Sequence, residues 1–168
     1  MKNSTLQYWI DKLELIEHPE GGYYKEIYRS EEEFSSDALP DRYAGKRNFG
    51  TSIYFLLTTE SVSNFHRLKS DEIWHFHQGG VAKIHFISEE GTYSFKTIGA
   101  DFENDETLQV VIPRNTWFAA EVIKDDFILV GCTVAPGFEF QDFELANRAA
   151  LSANFPEYSE LIVQFTNK

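Results

Sequence analysis

The chain is poor in sulfur. Of its 168 residues one is cysteine, Cys132, and one is methionine, at the first position. A single cysteine cannot form an internal disulfide, which excludes the cross-linked framework of a small secreted scaffold. Five prolines and ten glycines are too few for a collagen-like or disordered chain. No apolar stretch approaches the ~20 residues of a membrane-crossing helix. Positive charge is scarce as well: 15 Lys and Arg stand against 27 Asp and Glu, for a net charge of −12. Such a body repels phosphate backbones and anionic bilayers, and no basic patch offsets the repulsion, so no nucleic acid and no membrane is expected as a partner. Surplus carboxylates serve solubility and by themselves name no cationic substrate. Met1-Lys2-Asn3-Ser4-Thr5 leads into an amphipathic segment broken by Asp11, Lys12 and Glu14. This is unlike a secretory leader, and the expected location is cytoplasmic.

Aromatic rings are what the chain has in excess: 15 Phe, 8 Tyr and 3 Trp, within a hydrophobic content of 42%. A chain of this length hides roughly 70% of its unfolded surface, so the rings predict a single domain over 1–168 with an aromatic core. Residues 1–17 read as an N-terminal helix. Ser4 and Gln7 have capping-box spacing, and Leu6, Trp9, Ile10 and Leu13 follow at helical spacing. His18-Pro19-Glu20-Gly21-Gly22 ends it as a turn. Residues 23–141 change to short β-branched and aromatic runs: 23–29, 51–58, 73–76, 82–87, 93–98, 108–112, 117–123 and 127–134. Strands without interleaved helices predict an all-β sandwich or barrel. Residues 142–168 return to a helical segment, beginning just after Asp142. Cys132, inside an apolar run, reads as a small buried hydrophobe.

Candidate chemistry concentrates in Asn64-Phe65-His66-Arg67-Leu68-Lys69-Ser70-Asp71-Glu72-Ile73-Trp74-His75-Phe76-His77-Gln78-Gly79. Imidazoles and a carboxylate on adjacent strands suit a divalent metal or a proton transfer. Strand parity divides them: Glu72, Trp74 and Phe76 share one face, and Ile73, His75 and His77 the other.

This stretch resembles the first signature of the cupin superfamily. His66 stands at its second histidine, Asn64 at its first, and Glu72 and Gly79 keep the carboxylate-to-glycine spacing, while the gap from His66 to Glu72 is one residue longer than the pattern. Pro113-Arg114-Asn115-Thr116-Trp117-Phe118 resembles the second signature, with Phe118 at the metal-binding histidine. Together with the segments 18–30, 51–57, 113–121 and 131–138, nearly the whole chain is similar to a single-domain cupin family of bacteria and yeast that has no assigned reaction. The resemblance implies a double-stranded β-helix (a jelly-roll barrel like that of the sugar epimerases) and a homodimer.

With Asn64 and Phe118 at two ligand positions, His66 and Glu72 alone would hold a metal poorly, so no cofactor is expected. The expected function is binding of a small metabolite, carbohydrate-like, between aromatic walls drawn from Trp74, Phe76, Trp117 and Phe118 with Tyr24, Tyr28 or Tyr54. One alternative is a metal-independent sugar epimerase or isomerase in which His66 is the base, Glu72 orients it, and Tyr28 or Tyr54 is the acid. A second alternative is a divalent-metal enzyme using His66, Glu72 and, if the strand bulges, His77.

Overall fold

Alternation of apolar and polar residues makes much of this chain extended, and glycines decide where the extended chain bends. The structure is a computed structural model and describes residues 6–167; the Ser4 half of the expected capping box lies outside them. Its strands are β1 (Ile16–Glu17), β2 (Tyr23–Arg29), β3 (Glu33–Phe34), β4 (Arg47–Asn48), β5 (Thr51–Thr58), β6 (Ser63–Leu68), β7 (Asp71–Ile87), β8 (Tyr93–Ile98), β9 (Glu106–Thr107), β10 (Gln109–Ile112), β11 (Trp117–Ala135) and β12 (Phe143–Leu145). The helices are α1 (Leu6–Leu13), α2 (Arg148–Asn154) and α3 (Ser159–Gln164). None is long and apolar enough to cross a membrane.

Strands β7 and β11 run antiparallel over almost their whole lengths and belong to both layers of the fold. One half of β11 pairs with β5, which continues through β2 to β1, while the facing half of β7 pairs with β10. The other half of β11 pairs with β6, which continues to β12, and that half of β7 pairs with β8, which continues to β9. This is the expected double-stranded β-helix. The sequence suggested a break between 76 and 82 and another between 123 and 127. The structure instead has continuous strands that bend. At the corner, a Cβ on Gly80 would lie 1.9 Å from the Lys124 carbonyl oxygen, and one on Gly79 (φ +104°) 2.3 Å from that of Phe127. Only glycine permits so close an approach.

Phe55, Leu57, Trp74, Ile84, Phe86, Phe118, Ile128 and Val130 form the core between the layers. Helix α1 lays Leu6, Trp9, Ile10 and Leu13 on Leu15, Leu56, Phe127 and Leu129, as the helical spacing predicts. At the other end Leu151, Ile162 and Phe165 cover Phe65, Ile87, Trp117 and Ala119. Two of the expected boundaries move. Ile16–Glu17, assigned to the first helix, is a strand, because Glu14 takes a positive φ of 53° and ends the helical run. Phe143–Leu145, assigned to the C-terminal helical segment, adds β12 to the edge of β6. The helix starts later, where the Asn147 side chain accepts the Ala150 N–H at 3.0 Å.

Candidate functional site

Strand parity assembles the site. Along β2, Tyr24 opposes Phe55 and Glu26 opposes Ile53; the register then shifts before Tyr28, and Arg29 opposes Thr51. The bulge reverses the faces, turning Arg29 inward and leaving Tyr28 55% exposed. From β7 and β11 come the facing pairs Glu72–Val134 and Trp74–Cys132. β6 adds His66 and Leu68. These side chains line one cavity of about 310 Å³, and Phe138, Phe140 and Phe143 from the chain after β11 close over it.

Two further groups come from the turn after α1. His18 and Glu20 line the same cavity. Gly21 (φ +109°) and Gly22 (φ +74°) make the turn, and a Cβ on Gly21 would lie 2.1 Å from the Val62 carbonyl oxygen. Asn64 holds the turn from outside, its backbone N–H and its side-chain amide each donating to the Glu20 carbonyl at 2.8 Å. Gly21→Ala is therefore expected to destabilise the fold by at least about 2 kcal/mol in chemical denaturation. A loss under about 0.5 kcal/mol would mean that the turn repacks freely.

At the floor, the Glu20 carboxyl accepts a bond from Ser63 Oγ at 2.8 Å and meets His66 Nε2 at 3.1 Å. His66 Nδ1 lies 2.7 Å from the Asn64 carbonyl, which can only accept, so Nδ1 carries the proton and Nε2 is bare. Burial pushes the His66 pKa down to about 3. Burial, together with the nearby Glu72 charge, raises that of Glu20 well above the ordinary carboxylate value. His66 is therefore neutral near pH 7, and its bare Nε2, facing the Glu20 carboxyl, accepts the proton of the acid. His18 is likewise neutral, lowered by burial to about 4, with its Nδ1 accepting the Glu20 N–H at 3.3 Å. Glu72 Oε1 accepts the Trp74 indole N–H at 3.1 Å, and burial raises its pKa to about 7. Burial keeps the Cys132 thiol protonated, and its side chain lines the same cavity.

The structure brings together His66, Glu72, Trp74 and, of the three strand tyrosines, Tyr24. Phe118 stands behind His66, its ring centroid 4.0 Å from the imidazole. Phe76 packs against the core. Trp117 is not a wall of this cavity: it sits in the C-terminal cluster under the Arg67 guanidinium, 4.5 Å from its ring centroid. Tyr54 and His77 lie on the outer face, edge to face at 5.8 Å beside α1. As the parity of β7 predicts, His77 does not reach His66 and Glu72. Neither of these tyrosines can serve as an acid in the cavity, and His66, with both ring nitrogens engaged, has none free to act as a base.

The residues at the metal-site positions do not fit a metal. Asn64 turns its amide to the Glu20 backbone, Phe118 has no donor atom, and His66 Nε2 is taken by Glu20. Among the described residues no three His, Cys, Asp or Glu side chains gather at binding distance. Sequence reasoning missed His18 and Glu20 as site residues. The one signal for them was an acid and an imidazole inside a turn that needs two glycines.

The comparisons agree with this architecture. The family described as the Cupin superfamily (DUF985) matches residues 7–146. A Saccharomyces cerevisiae relative, uncharacterized protein YML079W, is 32% identical over 149 residues, covering 83% of this chain and 74% of its own. The crystal structure of protein SO0799 from Shewanella oneidensis superposes with a TM-score of 0.88 at 40% identity, covering 99% of both chains. A hypothetical protein from Leishmania major gives 0.88 at 34% identity, covering 98% of this chain and all of that one. Oxalate decarboxylase from Bacillus subtilis, at 17% identity and a TM-score of 0.55, shares the fold over 90% of this chain and 37% of its own. The chain belongs to the cupin superfamily, in its DUF985 family.

Proposed function

We propose that the protein binds one small cyclic metabolite with polar substituents, carbohydrate-like in size, in the barrel cavity and without a catalytic metal. One observation carries this reading: a cavity of about 310 Å³ that places ring walls from Tyr24, Phe55 and Trp74 beside the polar groups of His18, Glu20 and Glu72. Apolar walls with a few directional polar groups are the usual make-up of a small-molecule site. A cytoplasmic location belongs to the same proposal. So does a homodimer, for which the exposed Ile27 and Tyr28 on the outer sheet face supply apolar surface.

The Trp74 indole N–H, bonded to Glu72 inside the cavity, is a natural reporter. Titrating the labelled protein with neutral and amino monosaccharides is expected to shift the Trp74 indole resonance while leaving those of Trp9 and Trp117 in place. A ligand at a hundred times its Kd adds about 2.7 kcal/mol of stability, and Trp74→Ala is expected to abolish it. If the Trp74 signal stays fixed across the panel, the cavity is core space and the reading fails.

Glu72 favours a second reading, a metal-independent isomerase. A buried carboxyl with a pKa of about 7 is matched to moving a proton at neutral pH, a role His66 cannot take. Heavy-water exchange of a ligand C–H proton, lost in Glu72→Gln, distinguishes catalysis from binding.

A further inference from the structure

The charges around this cavity point one way. Glu72 is 8% exposed, and the side-chain hydrogen bond its carboxyl receives among the described residues comes from a neutral donor, the Trp74 indole N–H. Among the described residues no Lys, Arg or His forms an ion pair with it. The carboxyl therefore faces the cavity with room for positive charge and no counter-ion of its own. Glu20 differs, since its acid proton is already placed on His66 Nε2.

The mouth is acidic on balance, with two carboxylates about one guanidinium. Arg29 is the one Lys or Arg among the lining residues. Its guanidinium is fully engaged: both Glu26 oxygens at 3.0 and 2.8 Å, Glu139 at 2.8 Å, Asn48 at 2.8 Å and the Phe138 carbonyl at 3.1 Å. An entering anion would pass Glu26 and Glu139 and end beside Glu72 without meeting a free cation. An entering cation meets a mouth that is negative on balance, and then rings, whose quadrupoles attract it in a desolvated site. Net charge alone could not show this, because surface carboxylates are dispersed; the cavity concentrates them.

We propose that the ligand carries a protonated amine, seated against Glu72 and enclosed by Phe55, Trp74, Phe138 and Phe143: a small cyclic ammonium compound, such as an amino sugar or an arylalkyl amine. The proposal rests on the reading of the cavity as a small-molecule site and adds the charge of what it takes. A neighbouring ammonium stabilises the ionised form of Glu72, so the two form a charge-assisted hydrogen bond out of bulk water.

Three ligands of nearly equal shape test the charge: benzylammonium, benzyl alcohol and benzoate, each titrated calorimetrically at pH 7.5 with the Trp74 indole resonance followed in parallel. Benzylammonium is expected to bind at least tenfold more tightly than benzyl alcohol, and benzoate more weakly than either. Glu72→Gln is expected to bring amine and alcohol to equal affinity. The wild-type series is decisive even if that variant folds poorly. Benzoate equal to or tighter than benzylammonium overturns the proposal, as does a preference for the amine that survives in folded Glu72→Gln. If alcohol and amine bind the wild type equally, the charge assignment fails while the cavity reading stands. If none of the three binds and the Trp74 signal does not move, both fail.

Discussion

Arg47→Met is expected to cost the fold about 3–5 kcal/mol, because it leaves Asp142 buried without its fork-shaped partner. The Arg47 guanidinium meets both carboxylate oxygens, with Nη2 at 2.8 Å from Oδ1, and the two side chains are 0% and 4% exposed. Lys69 Nζ, 3.5 Å from Asp142 Oδ1, remains to offset part of the loss. The double variant Arg47→Met, Asp142→Leu removes both charges and is expected to recover most of the stability, since apolar residues of similar volume replace a buried pair at little cost. Urea unfolding of parent, single and double variants measures both effects. The site should respond as well: Asp142 lies next to Phe143, so the single variant is expected to broaden the Trp74 indole signal. A single-variant loss below about 1 kcal/mol would mean that water reaches Asp142 and the pair is only a surface contact.

The second large effect is on pH dependence. His18 and His66 have folded pKa values of about 4 and about 3, below the ordinary 6.5, so each loses stability as pH falls from 6.5 toward its folded value. Glu72 and Glu20 act in the opposite sense. Their folded values lie above the ordinary 4.5, Glu72 at about 7, so each loses stability as pH rises from 4.5 toward its folded value. Between about pH 4.5 and 6.5 the two pairs oppose one another, and their summed contribution is nearly flat. Above that window only the carboxyls act, and stability is expected to fall through neutrality. For Glu72 the rise from 4.5 to about 7 corresponds to roughly 3 kcal/mol. Glu72→Gln removes this cost, so the stability difference between variant and parent is expected to widen by roughly 3 kcal/mol from pH 4.5 to pH 8.5 in parallel denaturation curves. A difference that stays constant with pH would show Glu72 to be solvated and ordinary.

Much of the fold can be read from local pattern. The alternation in 23–29 and 51–58, the helical spacing of Leu6, Trp9, Ile10 and Leu13, and the motif from His66 to Gly79 each depend on neighbours in sequence. Parity correctly separates Glu72 and Trp74 from His75 and His77, because side chains alternate along an unbroken stretch of strand. It fails in β2, where one extra residue before Tyr28 exchanges the inward places of Tyr28 and Arg29. Trp117 and Tyr54 were misplaced for a related reason: a ring fills either face of a jelly roll equally well, and only the covering helices decide which face is interior.

By itself the sequence determined the strand-rich domain, its cupin signatures, the unlikeness of Asn64 and Phe118 to metal ligands, and the stretch from which His66 and Glu72 come. Each follows from residue type and short-range spacing. The scarcity of cysteine, of positive charge and of long apolar runs set limits on partners but described no site. Tertiary structure alone decided that Glu20, 46 positions before His66, donates to its ring, and that the sole lining guanidinium is already engaged by carboxylates. The physical reason is distance along the chain. Contacts made by a turn closing over a barrel leave no periodicity to read, and the charge state of a buried group depends on which other groups are buried with it.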